Sequence, residues 1–191
     1  DDGNSIHEKN GYLVIKSPWP SMTRGLLNDD ERYLETYWSR FKNIWFHGDY
    51  VFADEDNLWY MRGRADDVIN VSGHRMSTAE IEHTVISHKK ISDAASVSIP
   101  DELTGEAIVV FFVSENKNDK GLEPIIMEHI SQKIGKIAKP KLIFQISDLP
   151  KTRTGKIMRR LLKSKLMGME LGDLSSLENP DILLEIDELK I

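Results

Sequence analysis

The sequence predicts an α+β fold: a small domain with a short sheet and packed helices, preceded by a β-rich piece. Three observations support this. Residues 106–114 contain the near-continuous apolar run Ala107-Ile108-Val109-Val110-Phe111-Phe112-Val113, the pattern of a central strand buried on both faces. Residues 123–136 carry Ile126, Ile130 and Ile134 four apart, the spacing of a helix with one apolar stripe. From about Asp66 the elements run strand–helix–strand–strand–helix–strand, a pattern met by helices packed on a short sheet.

Taken in order, residues 11–16 read as a strand, Tyr12-Leu13-Val14-Ile15, stopped by Ser17-Pro18. Residues 28–41 read as a helix: Asn28 or Asp29 caps it, acids fill its first turn, and Leu34, Tyr37, Trp38 and Phe41 share one face. Residues 44–52 and 58–62 read as strands joined by Ala53-Asp54-Glu55-Asp56-Asn57, with Asn57 able to take a positive φ. Ser77-Thr78-Ala79-Glu80 has the form of a capping box opening a helix to about His88, with Ile81 and Val85 inward. Residues 93–100 and 141–146 are further strands, 157–166 a short basic helix, 168–173 a linker and 180–189 an acidic helix. The pattern changes near Asp66, so residues 1–65 and 66–191 are read as separate pieces.

Composition excludes several function classes. With 40% hydrophobic residues a packed core is available, and a net charge of −6 argues against a general nucleic-acid binder. There is no cysteine, so disulfides, thiolate catalysis and zinc–thiolate sites are excluded and a reducing compartment is compatible. No apolar run reaches the roughly 20 residues a membrane span needs, and no signal peptide opens the chain, so a cytoplasmic location without membrane contact is expected. Asp1 is not an initiator, which suggests a fragment or a processed product.

Two stretches concentrate chemistry. In Gly63-Arg64-Ala65-Asp66-Asp67-Val68-Ile69-Asn70-Val71-Ser72-Gly73-His74-Arg75, two arginines flank adjacent carboxylates around a short β-branched run. Arginine presents a planar fork of donors that suits phosphate oxygens. A surface hairpin with Arg64 and Arg75 paired to Asp66 and Asp67 fits the same residues. The second stretch is Leu149-Pro150-Lys151-Thr152-Arg153-Thr154-Gly155-Lys156-Ile157-Met158-Arg159-Arg160. Its Gly155-Lys156 fails the phosphate-loop template, because Pro150 stands where the first glycine belongs and Ile157 replaces Ser or Thr. A solvated basic loop also fits. His83 and His88 are five apart, which does not align them on one helix face as a zinc pair requires.

These stretches resemble the AMP-forming acetyl-CoA synthetase family of adenylate-forming enzymes. Val71-Ser72-Gly73-His74-Arg75 followed by Thr78-Ala79-Glu80-Ile81-Glu82 is most similar to it, and the stretch from Leu149 to Arg160, Pro18-Trp19-Pro20 and Phe46-His47-Gly48-Asp49 agree in the same order. The resemblance implies that residues 1–65 are the end of a large adenylation domain, cut from its remainder and therefore incomplete, and that 66–191 are a mobile C-terminal domain. It implies ATP, CoA and Mg2+ as cofactors, acetate or another short acid as substrate, and a thioester made through an acyl-adenylate.

By the same resemblance, Asp49 accepts hydrogen bonds from the ribose of ATP, and Arg64 and Arg75 lie near ribose and α-phosphate. Asp66 is the hinge. Ser72 and Gly73 line the path of the CoA thiol arm. Lys156 is the catalytic lysine of adenylation, and a lysine acetyltransferase and deacetylase acting on it are implied partners. A Mg2+-type ion is implied near the end of the first helix of the small domain, at Ile86, His88 and Ile91, through backbone carbonyls. One position departs: relatives carry an arginine for CoA phosphate near Ser131, where Lys133 is the nearest cation. The phosphate loop and the adenine and carboxylate pockets of the family precede this segment, so the chain alone is expected to be inactive. A stand-alone regulatory or interaction module is the alternative. A nucleic-acid or membrane binder using the basic residues between Lys151 and Lys165 is a third reading, disfavoured by the net charge.

Overall fold

The computed structural model describes residues 4–116 and 119–189. The fold is α+β, as the sequence predicts. The chain divides into two compact units between Asp67 and Val68.

The first unit is a three-stranded antiparallel sheet, order β1-β2-β3, of β1 (Asn10–Ile15), β2 (Trp45–Ala53) and β3 (Trp59–Arg64), with helix α1 (Asp30–Trp38) between β1 and β2. Asp29 caps α1, its carboxylate accepting the Arg32 N–H at 3.3 Å. The expected inward face needs correction: Leu34 is exposed, Tyr33 is buried, and Phe41 lies beyond the helix end at Trp38. Tyr33 is drawn in by its hydroxyl, which donates to the Thr23 carbonyl, and Tyr37 stacks on Trp45 at 5.1 Å. In the β2–β3 turn the Asp54 carboxylate accepts the N–H groups of Asp56 and Leu58, and Asn57 takes φ 59°. Asparagine tolerates that left-handed conformation better than most residues.

The second unit is organised on β7 (Gly105–Ser114). One edge pairs antiparallel with β6 (Ile91–Asp101). The other edge is shared: β4 (Val68–Val71) meets it at Gly105, and β8 (Leu142–Gln145) runs parallel to it from Val109 to Phe112. Strand β5 (His74–Ser77) forms a hairpin with β4. Alternation along β7 explains its unbroken apolar run. Ile108, Val110 and Phe112 enter one core with Ile81 and Val85 of α2 (Thr78–Ile86) and Ile126 and Ile130 of α3 (Glu123–Lys133). Val109 and Phe111 enter a second core with Leu161 and Leu162 of α4 (Arg159–Leu166) and Ile182, Leu183 and Ile186 of α5 (Ile182–Asp187).

Several local expectations are revised. Ser77 occupies the N-cap position of α2, but its side chain makes no capping hydrogen bond. It is also the last residue of β5, paired with Val68, so the ladder orients it. Helix α3 stops at Lys133, ahead of Gly135 at φ 126°, and Lys136–Ala138 form a 3-10 turn. Helix α4 begins at Arg159, because Ile157 is held in a β-bridge to Lys151.

Candidate functional site

In the first unit, the antiparallel register sets Asp49 on β2 opposite Arg64 on β3. The Arg64 Nη1 lies 3.6 Å from the Asp49 carboxylate, and its Nε donates to Asp66 at 3.1 Å. His47 Nδ1 lies 2.5 Å from the other Asp49 oxygen. Of the expected surface pairs, Arg64–Asp66 is therefore present, and Arg64 reaches Asp49 as well. Gly48 has φ 89°, and a Cβ there would sit 2.7 Å from the Arg64 guanidinium nitrogens. Sequence reasoning gave Gly48 no role; here it leaves room for the guanidinium beside the backbone. The Arg64 side chain is 46% exposed. The Asp66 partner is exposed as well, and a pair of this kind is worth about 0–1 kcal/mol.

In the second unit, Ser72 and Gly73 form the two-residue loop of the β4–β5 hairpin, at φ 50° and 84°. Positive φ at both positions matches the strand twist. The Ser72 N–H donates to the Thr104 carbonyl at 2.8 Å, which fixes the loop against the turn before β7. A Cβ on Gly73 would meet nothing within 4 Å, so the loop tip faces open space. Arg75 follows on β5, exposed, with Asn70 as its cross-strand partner.

Lys156 stands at the end of a tight hairpin. Lys151 and Ile157 form its closing bridge, Thr152 N–H donates to the Lys156 carbonyl at 2.9 Å, and Gly155 N–H donates to the Thr152 carbonyl at 2.8 Å. Gly155 at φ 82° makes the turn. The side chain of Lys156 is exposed, and among the described residues no carboxylate lies within ion-pair distance of its ammonium. Lys151, by contrast, reaches Asp93 at 2.8 Å and Asp148 at 3.1 Å. Burial opposes its charge, but those two carboxylates outweigh burial and hold its pKa above the ordinary lysine range. The hairpin thus has a pinned base and a free cation near its tip.

Sequence reasoning missed Glu82 and Arg159 as a pair. Glu82 is buried on α2 and accepts two bonds from Arg159, which follows the hairpin. A carboxylate beside the inward Ile81 was the available signal.

Ile86 and His88 lie at the C-terminal end of α2, with Ile91 opening β6. The His88 carbonyl accepts the Ile91 N–H at 2.9 Å, which leaves one lone pair for a cation. Among the described residues no group of three or more His, Asp or Glu side chains could hold a metal. A hard ion such as Mg2+ fits only through carbonyl oxygens here. Burial, with the charges of His129, Lys89 and Lys90, holds the His88 imidazole below its ordinary pKa. Ser131 Oγ is buried without a hydrogen-bond partner among the described residues, whereas Lys133 is exposed. A cavity of about 420 Å3 opens at the ends of β7 and β8, lined by Ser114, Asp119, Gln145 and Glu185, and holds none of the predicted site residues.

Residues 80–156 match the family described as AMP-binding enzyme C-terminal domain. The chain is 47% identical over 172 residues to an acetyl-coenzyme A synthetase of Pyrobaculum aerophilum, covering 88% of this chain and 26% of that protein. It is 46% identical over 176 residues to one of Streptomyces avermitilis, covering 91% of this chain and 27% of that protein. The chain belongs to the acetyl-CoA synthetase family of AMP-binding enzymes. Among solved structures, acetoacetyl-CoA synthetase from Streptomyces lividans superposes with a TM-score of 0.82 at 26% identity, over 97% of this chain and 29% of that one. This acetyl-CoA synthetase-family chain spans about a quarter of the length of the relatives it matches. The matched segment begins on α2 and ends at Lys156.

Proposed function

We propose that this chain acts as the C-terminal part of an AMP-forming acetate–CoA ligase. The ligase converts ATP, acetate and CoA to acetyl-CoA, AMP and pyrophosphate through acetyl-adenylate. The observation that supports it most is Lys156 itself: an exposed ammonium on a pinned hairpin, at the end of the segment matched to the AMP-binding enzyme C-terminal domain. As acetate approaches the α-phosphate, two anions meet and charge shifts toward the leaving pyrophosphate. A flexible ammonium beside both stabilises that transition state.

In this reading the Asp49 carboxylate accepts the ribose hydroxyls, and the Arg64 and Arg75 forks serve ribose and α-phosphate. Asp66 is the hinge at which the second unit changes orientation, because a few residues can absorb the φ/ψ change. In the second orientation Ser72 and Gly73 line the path of the CoA thiol. Mg2+ supplies positive charge when bound, and the carbonyls of Ile86, His88 and Ile91 are this chain's candidates to hold it. The chain alone does not adenylate; residues 1–65 are an incomplete end of the large domain. Acetylation of Lys156 removes its charge and acts as an off switch, which makes a lysine acetyltransferase and a deacetylase the implied partners.

The test is to assay both half-reactions of Lys156→Ala in the full-length enzyme. Pyrophosphate exchange falls about 10²- to 10³-fold, the typical cost of removing one group that stabilises transition-state charge. Supplied acetyl-adenylate still reacts with CoA. Intact exchange, or an equal loss in both steps, refutes the assignment.

A further inference from the structure

The match to the AMP-binding enzyme C-terminal domain ends at Lys156, yet the segment after α4 returns to the hairpin that carries this lysine. Leu177 forms an antiparallel bridge with Thr152, and the Glu178 N–H donates to the Lys151 carbonyl at 2.9 Å. Asn179 then uses its whole amide on one arm of the hairpin. Its Oδ1 accepts the Lys151 N–H at 3.1 Å, and its Nδ2 donates to the Leu149 carbonyl at 2.8 Å and to Asp148 Oδ2 at 3.0 Å.

The returning segment is itself anchored at both ends. Arg160 donates to the carbonyls of Leu171 and Asp173, and Glu185 accepts the N–H and hydroxyl of Ser147. Leu177, Ile182, Leu183 and Ile186 are buried in the same core as Leu149 and Leu161.

We propose that residues 171–187 form a strap that fixes the Lys156 hairpin, and that Asn179 is its positioning residue for the adenylation step. The proposal rests on the reading of Lys156 given above. The turn from Thr152 to Lys156 is closed by its own hydrogen bonds, with Thr152 N–H donating to the Lys156 carbonyl and Lys156 N–H donating to the Thr152 hydroxyl, so it moves as one piece on the arm that leads into it. Its ammonium must be delivered to a transition state. Displacement by about 1 Å can cost up to roughly 10²-fold in rate. Asn179 holds the arm at Asp148, Leu149 and Lys151, immediately before the turn. It therefore sets where the hairpin leaves the core, and with it where Lys156 points.

The experiment measures Asn179→Ala, Asn179→Asp and the exchanged pair Asp148→Asn/Asn179→Asp in the full-length enzyme, with Lys156→Ala alongside. Asn179→Ala lowers kcat for pyrophosphate exchange roughly 10- to 100-fold with KM for ATP nearly unchanged. It spares thioester formation from supplied acetyl-adenylate. Asn179→Asp sets two carboxylates together and is at least as damaging; the exchanged pair restores a donor between positions 148 and 179 and recovers part of the rate. Hydrogen exchange at the Thr152 and Gly155 amides accelerates about tenfold in Asn179→Ala, while the β7 amides keep their protection. Unchanged adenylation, equal loss in both half-reactions, no recovery in the exchanged pair, or unchanged hairpin exchange overturns the strap. If Lys156→Ala abolishes adenylation and Asn179→Ala does not, the strap alone fails. If Lys156→Ala leaves adenylation intact, the reading of Lys156 fails, and the strap's catalytic role with it.

Discussion

Arg159 grips Glu82 with two guanidinium nitrogens, Nε at 2.8 Å and Nη2 at 2.5 Å, across 77 residues of sequence. Glu82 also accepts the Ser96 N–H at 2.7 Å, so one carboxylate ties α2, β6 and the start of α4 together. The carboxylate side chain is 7% exposed and the guanidinium 24%. Removing one partner of such a pair leaves a buried charge uncompensated. Arg159→Leu is expected to destabilise the second unit by about 3 kcal/mol, the lower end of the range for a buried pair. Urea unfolding followed on that unit measures it. Glu82→Leu/Arg159→Leu should recover much of the loss, and a single-variant cost near zero contradicts this account.

Asp101 gives the same unit an acid sensitivity. The Lys141 ammonium, then the Thr104 hydroxyl and N–H, and last the Leu103 N–H hold its carboxyl far below the ordinary value of 3.8; burial opposes them. A depressed folded-state pKa stabilises above the unfolded value and is lost as pH falls through the folded one. The contribution is complete above about pH 4 and fades below it. Asp101→Asn should lower stability at pH 7 and flatten the decline of stability between about pH 4 and pH 2. Parallel curves for the two proteins across that window would refute this.

Gly73→Leu should fold and still fail in one half-reaction. The position has φ 84° and open space, so the cost to folding is confined to backbone strain of about 1 kcal/mol. On the proposed assignment of Ser72 and Gly73, the added side chain in the full-length enzyme should obstruct the thiol arm and lower CoA-dependent turnover while pyrophosphate exchange continues. Gly73→Ala should carry the strain without most of the obstruction. Equal loss in exchange and turnover counts against the assignment of Ser72 and Gly73.

The first unit of the isolated chain should be the weaker one. Its buried apolar side chains among the described residues are Tyr33, Val51 and Ala53, while Leu58, Trp59, Tyr60 and Met61 are exposed at β3. Both large core clusters lie in the second unit. Amide exchange in a dilute monomer should be faster before Asp67 than in β6 and β7. Uniform protection across the chain would be the contrary result.

What the sequence determined by itself was local or periodic. The apolar run of β7, the isoleucine stripe of α3 and the positive φ of Asn57 all follow from contiguous residues. So does the placing of Lys156 on an exposed loop, together with the motif order that marks the family. Tertiary structure decided what depends on distant partners. Ser77 pairs with Val68 and does not cap α2; Tyr33 turns inward where Leu34 was expected; β4 and β8 share one edge of β7. Glu82 meets Arg159, and Asn179 grips the Lys156 hairpin, across gaps that no local pattern spans. Periodicity and turn chemistry act within a few residues. These pairings instead rest on hydrogen bonds and burial that exist only once the helices have packed on the sheet.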